Sequence, residues 1–247
     1  MSRPADRILV ALDVSDFETA FRLFASLTDH VGGFKVGKEL FVAAGFHTDG
    51  RDFIDRLVEQ ECNVFLDMKF HDIPNTVAGA VRAATRAGVW MLNVHASGGR
   101  EMMRAAVQAA HETSTRLGKK PPLVVAVTVL TSLNTQDLHE IGLVGTPEES
   151  VLRLSVLAKD CGVDGVVASA QEAAAIKREC GADFLVVSPG IRPAGGDPGD
   201  QKRLSTPGNA VRCGCDYLVI GRPITQAKDP VQAAVDIAAE IAAAASR

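Results

Sequence analysis

No basic block runs through this chain. Its 26 Lys and Arg stand against 30 Asp and Glu, a formal net charge of −4, which leaves no electrostatic footprint for nucleic acid or an anionic membrane surface. Long apolar stretches are missing from the N-terminus as well. MSRPADRILVALD carries only the short run Ile8 to Leu12 before Asp13, too short for a signal peptide and far too short to span a bilayer. Cysteine is sparse and odd in number: Cys62, Cys161, Cys180, Cys213 and Cys215. Cys213 and Cys215 are spaced C-x-C with no second pair and no nearby His, so no zinc site is indicated and free thiols in a reducing cytoplasm are expected. There is no G-x-G-x-x-G after the first strand, which argues against a doubly wound sheet, and no Walker-type G-x-x-x-x-G-K-[ST], so nucleoside triphosphate chemistry is not indicated.

What is present is a regular alternation. Apolar, β-branched runs predict strands at Ile8 to Leu12, Gly33 to Val36, Val64 to Met68, Val89 to Val94, Leu123 to Leu130, Gly165 to Val167, Phe184 to Val187 and Tyr217 to Ile220. Between them lie segments with apolar residues at helical spacing: Asp16 to Thr28, Thr76 to Ala87, Glu101 to Arg116, Glu148 to Asp160, Gln171 to Glu179 and Val231 to Ala244. Near-continuous apolar strands alternating with helices imply a parallel sheet covered on its outer face. Eight such units in 247 residues match the count and size of an α/β protein of the (β/α)8 TIM-barrel type. A doubly wound sheet is the competing fold. With no composition break and no long linker, residues 1–247 are expected to form a single barrel domain.

The stretch of greatest chemical interest is VFLDMKFHDIPNTV, Val64 to Val77. Side chains alternate along a strand, so Asp67 and Lys69 face the same way. Asp72 follows where the strand gives way to a loop, and Pro74 blocks any further ladder, so two carboxylates and an ammonium are expected to converge at one strand end. A barrel places its function at the C-terminal strand ends. There the sequence sets Asp13, Lys35, Asp67 with Lys69, Asn93 to His95, Thr128 to Ser132, Ser188 to Gly190, and Gly221 with Arg222. The opposite ends are expected to show no such convergence. Charge removed from water is costly even when paired, so several charged groups from three successive strands point to a site rather than to scaffold.

Gly221 and Arg222 follow the last strand, where barrels often grip phosphate. The preceding loop, PGIRPAGGDPGDQKR, holds Gly195, Gly196 and Gly199 beside Arg192 and Gln201, and reads as a lid over a phosphate. His71 is expected to point away from Asp67 and Lys69 and to serve packing or hydrogen bonding. His95 is placed to support the site without a chemical role. Trp90, Phe65 and Met68 fit a core, and Thr131 and Ser132 are candidates for hydrogen bonds to a ligand.

The run D-M-K-F-H-D-I-P-N-T resembles the D-x-K-x-x-D-I-P-x-T signature of the orotidine 5′-monophosphate decarboxylase family, and of its bacterial subgroup in particular. The resemblance extends to A-L-D-V at 11 to 14, F-K-V-G at 34 to 37, N-V-H-A-S-G-G at 93 to 99, V-L-T-S-L at 129 to 133, P-G-I-R-P-A-G at 189 to 195, G-D-Q-K-R at 199 to 203 and G-R-P-I-T at 221 to 225. It implies that Lys69 is the proton donor, with Asp67, Asp72 and Lys35 completing an alternating array. It further implies that Asp72 and Thr76, with Ile73 among the substrate contacts, reach the site of a neighbouring subunit in a homodimer. Asp13 and Lys35 would hold the ribose, and Thr131 the pyrimidine or ribose region. Arg192, Gln201, Gly221 and Arg222 would hold the phosphate, with Gln201 bridging towards the base. No cofactor and no metal is implied.

Such a reaction leaves an electron pair in the plane of the pyrimidine ring, where the π system cannot spread it. Fixed charge must then stabilise it, chiefly the Lys69 ammonium. Two rivals remain. The Mg2+-dependent keto-gulonate-phosphate decarboxylases and hexulose-phosphate synthases also carry D-x-K-x-x-D, but lack the I-P-N-T continuation and the G-D-Q-K-R lid. A non-catalytic nucleotide-binding protein is the other, disfavoured by the intact Lys69 between two aspartates.

Overall fold

Strands and helices alternate along the computed structural model, which describes residues 3–45, 50–193 and 204–245. The chain runs β1 (Ile8–Ala11), α1 (Phe17–Leu27), β2 (Gly33–Gly37), α2 (Lys38–Gly45), α3 (Gly50–Glu59), β3 (Val64–Phe70), α4 (Pro74–Arg86) and β4 (Met91–His95). It continues α5 (Gly99–Leu117), β5 (Leu123–Val127), α6 (Thr135–Glu140), α7 (Pro147–Asp160), β6 (Gly165–Val167), α8 (Ala173–Cys180) and β7 (Leu185–Ser188). The last units are α9 (Pro207–Arg212), β8 (Tyr217–Ile220), α10 (Arg222–Thr225) and α11 (Pro230–Ala245). The strands pair in parallel in sequence order, and β1 closes on β8 through Leu9 against Val219. The result is the (β/α)8 barrel that the alternation predicts. Among the described residues no helix is long and apolar enough to cross a membrane.

The barrel wall explains why the strands read as unbroken apolar runs. Leu9, Ala11, Phe65, Met91, Val125, Val187 and Val219 fill the interior as one cluster. Their neighbours Ile8, Val10, Leu66, Leu92, Val124, Val186 and Leu218 belong to the second cluster, shared with the helices. Both faces are dry, so both must be apolar. Helix starts follow local chemistry. Asp16 accepts from Thr19 N at 2.8 Å, and Thr146 with Glu149 and Asn134 with Asp137 form reciprocal capping boxes.

Several elements depart from expectation. The helices α2, α3, α6, α9 and α10 were not anticipated; α6, α9 and α10 span six residues or fewer, too short for periodicity to signal. β5 ends at Val127, not Leu130. The apolar run continues because Val129 and Leu130 line a cavity, not because they pair.

The end of the barrel remote from the cavity carries polar groups as well. Asp164 accepts from Val124 N at 2.7 Å, and Asp216 accepts from Val186 N and from Lys177 Nζ, each at 2.7 Å. These carboxylates satisfy backbone donors at strand starts, while Trp90 packs edge-on against Tyr217 beside them, centroids 5.1 Å apart. In barrels this end serves stability. Asp216→Ala strands Val186 N and leaves Lys177 Nζ with Ala182 O, so we expect a loss of about 1–3 kcal/mol in chemical denaturation, with ligand binding at the opposite mouth unchanged.

Candidate active site

Inward-facing positions at the C-terminal ends of β1 to β3 carry the charge. Ladder register sets Ala11 beside Lys35 and Gly37 beside Asp67, so the side chains of three adjacent strands project into one mouth. Lys35 Nζ lies 2.8 Å from Asp13 Oδ1 and 3.3 Å from Asp67 Oδ2. Asp67 Oδ1 in turn accepts from Lys69 Nζ at 2.7 Å. The charges therefore alternate along a chain, Asp13–Lys35–Asp67–Lys69. Gly37 leaves room for it, since a Cβ there would sit 2.7 Å from Lys35 Nζ and 3.0 Å from Asp13 Oδ1.

Burial and charge oppose each other within this chain. Lys35 is 6% exposed and Asp67 8%. Burial on its own would lower the Lys35 pKa, but the carboxylates of Asp67 and Asp13 outweigh it and hold the amine above its ordinary value. Burial likewise would raise the Asp67 pKa, yet Lys35, Lys69 and the Asn93 amide outweigh it and hold the carboxyl below the usual range. Both groups are thus charged at neutral pH.

The four charged groups line a cavity of about 630 Å³ whose floor includes Ala11, Phe65, Val127, Val167 and Val219. Across it stand Thr131, Ser132, Pro189, Gly190, Arg192, Gly221 and Arg222. Gly190 turns the chain at φ +74°, a conformation that favours glycine. Two backbone bonds then clamp the base of the following loop: Arg192 N donates to Ser205 O at 3.0 Å, and Ser205 N to Gly190 O at 3.3 Å. This clamp sets Arg192 on the rim. Gly195, Gly196, Gly199 and Gln201 lie outside the described residues.

One expectation needs correction. Asp72 does not converge with Asp67 and Lys69 within a single chain. β3 continues to Phe70, the chain leaves the rim, and Ile73, held extended ahead of Pro74, starts α4. Asp72, Ile73 and Thr76 are all exposed, Ile73 by 67%, and none lines the cavity. Asp72 Oδ1 accepts from Ile73 N instead. His71 packs its ring against His95, centroids 5.4 Å apart, in keeping with a packing role.

Sequence reasoning passed over three residues here. Lys38 and Glu39, at the start of α2, line the cavity, and lay inside a helix the sequence did not disclose. Asn93 was visible only as a polar strand end. It is fully buried, with Nδ2 donating to Asp67 Oδ1 at 2.6 Å; an Asn inside an apolar strand was the available signal.

His95 offers a pH test. Burial, reinforced by His71, Lys69 and Lys38 and opposed by Asp67, depresses its pKa to about 4. An unfolded chain, titrating near 6.5, binds this proton first as pH falls. Stability contributed by neutral His95 is therefore present above about 6.5 and lost towards about 4. Denaturation of His95→Gln across that window should show a shallower decline than the unsubstituted protein; parallel curves would contradict the assignment.

Comparison with known proteins places these features in context. A family profile described as "Orotidine 5'-phosphate decarboxylase / HUMPS family" matches residues 6–237. The orotidine 5'-phosphate decarboxylase of Halorhodospira halophila is 54% identical over 96% of this chain and 97% of its own. That of Moorella thermoacetica is 52% identical over 96% of this chain and 92% of its own. Among solved structures, orotidine 5'-phosphate decarboxylase from Lactobacillus acidophilus superposes with a TM-score of 0.83 at 38% identity, covering 97% of this chain and 99% of that one.

Proposed function

The chain belongs to the orotidine 5'-phosphate decarboxylase family, and from that premise we propose that it converts orotidine 5′-monophosphate to uridine 5′-monophosphate and carbon dioxide. This would be the closing step of de novo UMP synthesis, carried out in the cytoplasm by a single-domain enzyme using no cofactor. The observation that carries the reading is the alternating chain Asp13–Lys35–Asp67–Lys69 at the cavity mouth.

Loss of carbon dioxide from C6 leaves an electron pair in the ring plane. Lys69 Nζ, held by Asp67 Oδ1 at 2.7 Å, supplies a fixed positive charge at that carbon and then delivers a proton to it. Because Asp67 and Lys35 already stand in place, little reorganisation is required as charge develops. Enzymes lower barriers by roughly 8–23 kcal/mol, and this chemistry calls on the upper part of that range. Phosphate binding by Arg192, Gln201, Gly221 and Arg222, remote from C6, contributes orientation and exclusion of water. Asp13 and Lys35 hold the ribose, and Thr131 the pyrimidine or ribose region.

The remaining substrate contacts come from a second copy. Asp72, Ile73 and Thr76 face outward from their own barrel, an arrangement that suits residues serving a partner's cavity in a homodimer. Asp72 then completes the Lys-Asp-Lys-Asp array in trans, beside the departing carboxylate.

Loss of ultraviolet absorbance on adding orotidine 5′-monophosphate, with chelator present, tests the reading. Activity restored only by Mg2+ would favour a phosphosugar enzyme, and binding without turnover a nucleotide-binding protein. Lys69→Ala should abolish turnover while uridine 5′-monophosphate still binds. Mixed dimers of Lys69→Ala and Asp72→Ala protomers should recover part of the activity, since one of the two shared sites is then wholly native. No recovery in verified heterodimers would remove the shared-site claim.

A further inference from the structure

The β3–β4 ladder breaks where the chemistry is. Phe65 pairs with Met91 and Leu66 with Leu92, and pairing resumes with Phe70 against Val94. Asp67, Met68 and Lys69 therefore stand opposite one residue, Asn93. Bulges of this kind re-aim side chains beside functional sites. Within this one, Lys69 adopts φ +53°, a left-handed conformation unfavourable for a residue with a Cβ, which persists only where the surroundings over-determine it.

Asn93 supplies that determination. Its Oδ1 accepts from Lys69 N at 2.7 Å, taking the place of a ladder carbonyl. Its Nδ2 donates to Asp67 Oδ1 at 2.6 Å, the same oxygen that accepts from Lys69 Nζ at 2.7 Å. One amide thus ties the strained backbone of Lys69 to the carboxylate that holds the Lys69 ammonium. The amide's orientation follows from its partners, since an N–H needs an acceptor and a carboxylate needs a donor. Carboxylate side chains offer only acceptors and cationic ones only donors, whereas an amide offers both without adding charge.

We propose that Asn93 is a positioning residue for the decarboxylation: it locks the left-handed backbone at Lys69 and the orientation of Asp67, so that the ammonium points into the cavity. The inference rests on the function proposed above. The Asn93 side chain bonds to Lys69 N and Asp67 Oδ1, both at the reacting end of the cavity, so its effect is expected there. Without it Lys69 relaxes towards an ordinary strand conformation, and the ammonium leaves its place.

Steady-state kinetics of the full-length Asn93→Ala and Asn93→Asp proteins, with uridine 5′-monophosphate affinity measured in parallel, test this. Asn93→Ala should lower kcat about 100-fold, the scale of a misplaced reacting group, while KM and nucleotide affinity stay within a few-fold. Unchanged kcat, or kcat and affinity falling together, would overturn the proposal. Asn93→Asp keeps an acceptor for Lys69 N but sets a second carboxylate against Asp67, and two such groups share one proton. The protonated pair again presents one acceptor and one donor, so kcat of this variant should rise as pH is lowered, unlike that of the unsubstituted enzyme. The groups facing this pair are Lys69 from β3, Lys35 from β2 and His95 from β4, while the β5 neighbour is Val125. A flat profile would count against the proposal, and this arm stands if Asn93→Ala does not fold. Should the unsubstituted protein leave orotidine 5′-monophosphate unchanged, the function fails first. A crystal structure of Asn93→Ala then decides the positioning role: a relaxed Lys69 φ supports it, and an unaltered Lys69 and Asp67 refute it.

Discussion

The Asp67 carboxylate accepts from Lys69 Nζ and Asn93 Nδ2 through one oxygen and meets Lys35 Nζ through the other. A buried anion without partners is costly, and removing one partner of a buried pair costs about 3–5 kcal/mol. The mouth of the barrel is therefore assembled around this group as a unit: two cations, one amide and the outlying carboxylate of Asp13. Net stability is not what such an arrangement supplies, because apolar residues of similar volume would serve a core as well. What it supplies is a fixed field. The positive end at Lys69 is held before any substrate arrives, and the reorganisation that water would need is already done.

Parallel strands make this economy possible. Alternation sends every second side chain inward, so Lys35 and Asp67 reach one space, joined by Asp13 from just past β1 and Lys69 from the bulge in β3, above the apolar layer of Leu9, Phe65, Met91, Val125 and Val219. The two ends of the barrel divide the labour. At the end opposite the mouth Asp164 and Asp216 accept hydrogen bonds from backbone donors at strand starts. At the open end the charges are bound chiefly to one another, with the bulge in β3 aiming Lys69 across the mouth.

Most of the fold was legible in the sequence. Eight apolar runs marked the eight strands within a few residues, because strands dry on both faces must be apolar throughout. The short helices α6, α9 and α10 were not legible, since one or two turns carry little periodic signal. Among the candidate site residues, Asp67 and Lys69 could be paired from their spacing alone, and Lys35 joined them through its place on the neighbouring strand. Spacing alone could not place Asp72. Its spacing in D-M-K-F-H-D brings it near in sequence, but β3 runs on to Phe70 and Ile73 starts a helix, which turns Asp72 outward.

Composition and alternation by themselves determined a covered parallel sheet with polar residues at the C-terminal strand ends, and favoured a barrel over a doubly wound sheet, since residue type and a period of two are local properties. Closure came from the pairing of β1 with β8. Only the tertiary structure decided which oxygen meets which nitrogen, that Lys69 takes a left-handed backbone, and that Asn93 stands behind it. Those depend on the register between β3 and β4. Such a register is set by packing across the whole barrel, and no short stretch of chain encodes it.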